Sequence, residues 1–181
     1  MAIKNKTRYA ILGILSIHSG TGYDIKKYCD TVISNFWNEN FGHIYPVLNQ
    51  LLSEKLIQTE ESSSPRKKVY TITSSGREEF LKWLAEPPVQ QPVRSEFMLK
   101  LTFASNLPRS EVNKMITEYR QQHLSRLKEY QAVAESLEKG IKEITPERKL
   151  YLYAPLRYGI LNAQAVLSWC DEILELLISL N

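Results

Sequence analysis

The sequence predicts a mostly α-helical chain with one small β-hairpin, in which an N-terminal group of short helices is followed by a C-terminal group of long ones. Three observations lead there. Apolar residues recur at three- and four-residue steps through most of the chain. Between Leu56 and Thr73 that period gives way to two short runs rich in β-branched and aromatic residues. Finally, Pro87-Pro88-Val89-Gln90-Gln91-Pro92 is a stiff segment through which a helix cannot continue. The expected division is residues 1–86, a linker at 87–94, and residues 95–181.

With 181 residues, 43% apolar and 24% charged, the chain can bury a core and is not a disordered polymer. Its formal net charge of +3 permits a nucleic-acid partner without requiring one. Eleven basic residues face nine acidic ones through Glu86, so neither half is a basic tail. Cys29 and Cys170 stand far apart, with no Cys or His at metal-ligand spacing, and read as buried free thiols. The apolar run Ala10 to Ile17 is too short for a membrane span and lacks a signal-peptide cleavage pattern, which makes a cytoplasmic location the expectation.

Thr7 can cap a first helix whose apolar positions, Tyr9 to Ile17, are too dense for a single stripe and imply burial on most sides. Ser19-Gly20-Thr21-Gly22 breaks it. Tyr23, Ile25, Tyr28 and Val32 or Ile33 resume helical spacing to about Phe36, and Trp37 to Gly42 reads as a turn. The third helix, Phe41 to Leu56, has the most informative pattern. Ile44, Val47, Leu48, Leu51 and Leu52 form one apolar face, leaving His43, Tyr45, Pro46, Asn49 and Gln50 elsewhere. That second face is polar yet nearly uncharged, whereas a merely solvated helix normally carries Lys and Glu.

Two strands, Leu56 to Glu60 and Lys67 to Thr73, flank a loose tip containing Ser62-Ser63-Ser64. Ser74 or Ser75 can cap a closing helix ending near Ala85. Three helices, a hairpin and a closing helix make a winged helix-turn-helix over roughly Lys6 to Glu86. Beyond the linker, Phe97 to Ala104 suggest one compact helix. From Ser110 a step near 3.5 residues runs from Val112 to Ile141, and a last helix begins at Thr145-Pro146. Its apolar stripe is read as Leu150, Tyr153 or Ala154, Tyr158, Leu161, Ala165, Trp169, Ile173, Leu176 and Leu180. Two long helices with this much additional apolar surface need a cover, and the simplest is a second copy of the chain.

The chemistry follows from the winged-helix pattern. Its third helix can enter the major groove, whose edges distinguish base pairs, while the wing approaches the backbone. Asn49 and Gln50 are the best candidates for base edges, because each amide can pair with adenine through two hydrogen bonds. Arg66, Lys67 and Lys68 place three consecutive cations at the wing tip for phosphates. Lys4, Lys6, Arg8, Lys26 and Lys27 could add contacts. Each has a blander alternative: Pro46 as a helix initiator, Tyr45 as a core aromatic, His43 and the amides as solvated groups. Enzyme readings lack support. His18, His43 and His123 sit in separate segments with no partner at triad or metal spacing, adjacent Asp171 and Glu172 point apart on a helix, and no phosphate loop is present. No cofactor is implied.

Gly22-Tyr23-Asp24-Ile25, Ile44-Tyr45-Pro46-Val47-Leu48-Asn49-Gln50-Leu51 and Arg66-Lys67-Lys68-Val69-Tyr70-Thr71-Ile72-Thr73-Ser74-Ser75-Gly76, in that order, resemble the PadR family of bacterial transcriptional regulators. The helical remainder is similar in architecture to the extended C-terminal domain of the larger subfamily. The resemblance implies a homodimer clasped through C-terminal helices, binding double-stranded operator DNA and usually repressing transcription. With Tyr23 and Tyr70 from its motifs, the candidate DNA-contacting set is Lys6, Tyr23, His43, Tyr45, Pro46, Asn49, Gln50, Arg66, Lys67, Lys68 and Tyr70. Some relatives release DNA on binding phenolic acids or hydrophobic drugs; Trp37, Trp83, Tyr158 and Trp169 are candidate contacts for a small aromatic effector. Two different readings stand beside this one, a winged-helix protein-interaction module without DNA binding and a small-molecule carrier.

Overall fold

The computed structural model describes residues 6–34, 36–37, 39–60, 68–89, 94–140 and 145–179. The chain divides into two compact units, Met1–Gln90 and Gln91–Asn181. Among the described residues no helix is long and apolar enough to cross a membrane.

In the first unit, α1 (Thr7–Leu15) buries Tyr9, Ile11, Leu12, Ile14 and Leu15, as its dense apolar pattern requires. Thr7 does not cap it. Lys6 already has helical dihedrals and occupies the cap position without a side-chain bond; the Thr7 hydroxyl instead donates to Glu39 Oε1 at 2.7 Å. Helix α2 (Gly22–Tyr28) starts at a capping box in which the Asp24 N–H donates to Thr21 Oγ1 at 3.2 Å and the Thr21 N–H to Asp24 Oδ2 at 2.9 Å. It continues into a wider π turn, Cys29–Ile33. Helix α3 (Phe41–Ser53) is capped by Asn40, whose Oδ1 accepts from the His43 N–H at 3.0 Å.

Two backbone bonds close α3: Leu56 N–H to Leu51 O and Lys55 N–H to Leu52 O, both 3.0 Å, with Lys55 at φ 60°. This is a Schellman closure with a lysine where glycine is the unstrained residue. Lys55→Gly is therefore expected to stabilise the unit by about 1 kcal/mol, read as a higher urea midpoint with an unchanged slope.

Strands β1 (Ile57–Glu60) and β2 (Val69–Ile72) pair antiparallel in the register Ile57 with Ile72 through Glu60 with Val69. Gly20 adds a third edge, exchanging N–H to O bonds of 2.9 and 3.1 Å with Tyr70. The segment that ends α1 thus also anchors the hairpin. Helix α4 (Ser74–Ala85) begins one or two residues earlier than expected because Thr73 is its cap, accepting from the Gly76 N–H at 3.1 Å. The core joins α1, α2, α3 and the hairpin through Leu12, Ile25, Ile44, Leu48, Leu51 and Ile57. Tyr9 and Trp83 stack at its margin, centroids 4.4 Å apart.

The second unit opens with α5 (Glu96–Thr102) and a 3-10 turn, Ala104–Asn106, then α6 (Arg109–Gly140) and α7 (Pro146–Ser179). Pro146 occupies the first turn of α7, where it loses no helical bond. Ala104, Val112, Ile116 and Cys170 form its inner cluster, bordered by Phe97, Tyr119 and Trp169. Gly159 lets α6 close on α7, since a Cβ there would lie 2.9 Å from the Tyr130 ring. Arg120 and Asp171 clip the helices together at 2.6 and 3.2 Å.

One expectation about α7 is corrected. Its intramolecular seam is Leu156, Ile160, Ala163 and Cys170, with Val166, Ile173, Leu174 and Leu177 beside it. Leu150, Tyr158, Leu161 and Leu176, read from the sequence as part of the seam, are exposed, Tyr158 at 72%. Helix α7 is apolar on more than one side, so periodicity alone could not choose between stripes.

Candidate nucleic-acid interface

The third helix is sharply two-sided. Ile44, Val47, Leu48 and Leu51 are buried, whereas His43, Tyr45, Pro46, Asn49 and Gln50 are exposed. Steps of three and four residues set His43, Pro46, Asn49 and Gln50 along one stripe. The Gln50 amide donates to Glu54 Oε1 at 2.8 Å, which fixes its orientation. Arg8, a candidate phosphate contact, instead joins Glu54 at 2.5 Å and Glu79 at 2.8 Å and ties α1 to α3 and α4. Burial pushes the Glu54 carboxyl up, but the hydrogen bonds from Gln50 and Arg8 and the Arg8 charge outweigh this and lower it.

Pro46 does not initiate α3, which is the alternative reading of this residue. It is the sixth helical residue, past the first turn, so its missing N–H leaves the Gly42 carbonyl without its i+4 donor. Tyr45 is packed on one side only: its ring lies against Gly22, where a Cβ would meet Tyr45 Cε1 at 2.8 Å, yet the residue remains 46% exposed. A side chain at Gly22 would displace the Tyr45 ring from this position. Tyr23, on the first turn of that helix, is exposed. Lys6 is half-buried and Lys68 exposed, while Arg66 and Lys67 lie outside the described residues. Lys27 is exposed; Lys26 pairs with Asp30 and sits 5.9 Å over the Phe41 ring.

Tyr70 differs from the other candidates. At 4% exposure it belongs to the core, and burial, then the neighbouring Tyr45, push its hydroxyl up. Its side chain is a packing group rather than a surface contact. The four candidate effector residues fall two in each unit. Trp37 donates to Glu39 Oε1 at 2.8 Å and Trp83 stacks on Tyr9, both within the first unit. Within the second, Trp169 meets Phe97 edge-on at 6.2 Å, while Tyr158 is exposed. Phe97 in turn stacks on Tyr119 at 3.7 Å, and Tyr119 approaches His123 at 4.6 Å. Burial, then the Arg126 charge, lower the His123 pKa.

Sequence reasoning passed over Glu39 as a turn residue. It is 5% exposed and accepts from both Thr7 and Trp37, and its Oε2 lies 3.3 Å from His43 Nδ1. The i,i+4 spacing of Glu39 and His43 was the available signal. Among the described residues no group of three or more His, Cys, Asp or Glu could hold a metal ion.

A three-helix core with a wing and a two-sided third helix defines a winged-helix protein of the transcriptional-regulator class. The chain belongs to the PadR-like family of transcriptional regulators: the model for that family matches residues 11–82, and one described as Virulence activator alpha C-term matches residues 93–177. Over 177 residues it is 32% identical to the negative transcriptional regulator PadR of Bacillus subtilis (strain 168), spanning 94% of this chain and 96% of that protein. The structure of Bacillus subtilis PadR in complex with operator DNA is similar at a TM-score of 0.82 and 31% identity, covering 94% of this chain and 98% of that one. The same protein in complex with p-coumaric acid is similar at 0.82 and 29%, covering 98% of each.

Proposed function

We propose that this protein is a dimeric, cytoplasmic repressor that recognises an operator through α3. The exposed, nearly uncharged stripe of His43, Pro46, Asn49 and Gln50 carries this reading, because it offers base-edge partners on a helix held by a rigid core. Asn49 and Gln50 face base edges; Tyr23, His43, Tyr45, Lys6 and the wing residues Arg66, Lys67 and Lys68 face the backbone. The operator complex of the 31% identical relative supports the partner, and its description as a negative regulator supports the sign. Residues 1–86 serve as the DNA-binding domain and 95–181 as the dimerisation domain. The exposed stripe of α7, Leu150, Tyr158, Leu161 and Leu176, supports the latter assignment.

A small aromatic effector is the regulatory part of the proposal, supported by the relative's p-coumaric acid complex. The stacked aromatics around Phe97, Tyr119 and Trp169 supply a surface of matching chemistry in the second unit.

Fluorescence anisotropy on the duplex upstream of the protein's own gene and on a scrambled duplex, at two salt concentrations, tests the function. The expected result is preference for the native duplex. Lys67→Ala/Lys68→Ala should weaken both duplexes and reduce the salt slope by about two units. Equal, salt-insensitive binding of both duplexes by the wild type would count against DNA recognition.

A further inference from the structure

The Glu39 carboxylate is buried without a Lys or Arg partner among the described residues, an arrangement that is costly unless its lone pairs are satisfied. Oε1 is satisfied, by the Thr7 hydroxyl at 2.7 Å and the Trp37 indole N–H at 2.8 Å. Oε2 accepts no well-aligned hydrogen bond among the described residues, and His43 Nδ1 stands 3.3 Å away. His43 itself is 65% exposed, so one edge of its ring faces a buried carboxylate and the other faces solvent on the outer side of α3.

The two ring nitrogens then have different tasks. A proton on Nδ1 suits the carboxylate, and in the neutral ring this leaves Nε2 a bare acceptor, which has nothing to donate to a phosphate oxygen. Only the imidazolium presents Nε2–H outward while keeping Nδ1–H inward. We propose that Glu39 is a positioning residue that fixes this orientation, and that His43 contacts a DNA phosphate as the imidazolium, so that DNA binding takes up a proton. The inference rests on the reading of α3 as the DNA-facing helix.

The surroundings favour this charge arrangement. The positive end of α3 disfavours a cation in its first turn, and the Glu39 carboxylate opposes that effect at closer range. Helix α1 presents the neutral Thr7 hydroxyl and the connection presents the neutral Trp37 indole. From the π turn, Cys29 faces Glu39 as a neutral thiol, pushed up to about 11 by burial, then by the charges of Glu39 and Asp30. Lys26 and Asp30 neutralise each other.

Two readouts on the full-length chain test the proposal. Nitrogen-15 spectra of the histidine rings at alkaline pH should show neutral His43, assigned by its loss in His43→Asn, as the Nδ1–H form; in Glu39→Gln it should shift toward the Nε2–H form that a free histidine side chain prefers. Affinity for the native upstream duplex should fall from about pH 6 to about pH 8, by up to tenfold per unit for one linked proton. His43→Asn and Glu39→Gln should flatten that dependence, and His18→Asn should retain it. An Nε2–H form in the wild type, or a wild-type pH dependence in His43→Asn, would overturn the proposal. Because His43 is exposed, His43→Asn provides this test even if Glu39→Gln fails to fold. Should the wild type not prefer the native duplex, the reading of α3 falls and the phosphate contact with it. Failure of the proposal alone is distinct: preference persists while His43→Asn leaves the pH dependence intact.

Discussion

Gly76→Ala should destabilise the N-terminal unit by about 3 kcal/mol, although alanine is the better helix former by about 1 kcal/mol. A Cβ at this position would lie 2.0 Å from the Leu56 carbonyl oxygen, 2.9 Å from its carbon and 3.0 Å from Ile72 Cγ1. The first two atoms are backbone, so no rotamer change relieves the clash. The Leu56 oxygen is also committed, accepting from the Thr73 N–H and hydroxyl at 3.0 Å each. Moving α4 away would break the junction that seats it beneath β1. A fall in melting temperature on the order of 15 °C is expected. A variant as stable as the wild type, or more so, would mean that α4 does not press on Leu56 in this way.

Asn49→Ala should leave stability within about 0.5 kcal/mol of the wild type, because the residue is exposed on α3. Its effect should appear in discrimination. A bidentate amide-to-adenine contact contributes about 1–3 kcal/mol of preference over the wrong base, so the ratio of affinities for native and scrambled duplexes should fall roughly tenfold to a hundredfold. Affinity for the scrambled duplex should barely change, since an amide neutralises no phosphate. Parallel anisotropy titrations at one salt concentration check this, with a thermal melt to establish that the variant is folded. An unchanged ratio would remove Asn49 from the base-reading set.

Much of this was legible because local and tertiary requirements agree in the first unit. The apolar face of α3 alternates at helical spacing, and Ile44, Val47, Leu48 and Leu51 are the residues it buries. Elsewhere local pattern left the outcome open. Val32 and Ile33 could not be ranked because the helix widens into a π turn at Cys29–Ile33, which carries neighbouring residues across one face. The exchange of backbone bonds between Gly20 and Tyr70 joins residues fifty apart and leaves no periodic trace. Tyr70 shares a motif with the wing cations, but the alternation of β2 turns its ring inward. Helix α7 is apolar on more than one side, so its seam emerged only once α6 had chosen a stripe. Glu39 was the costliest omission, because a carboxylate in a turn segment reads as solvated until Thr7, Trp37 and His43 are seen converging on it.

The claim that α3 reads the major groove is tested most directly by methylation interference on the native upstream duplex. Guanine N7 lies in the major groove and adenine N3 in the minor groove, so one reagent that methylates both reports which groove the protein occupies. Interference concentrated at guanine N7 positions within two half-sites about one helical turn apart is the expected result for a dimer presenting two copies of α3. Interference confined to adenine N3, with guanine N7 methylation tolerated throughout the bound site, would contradict it.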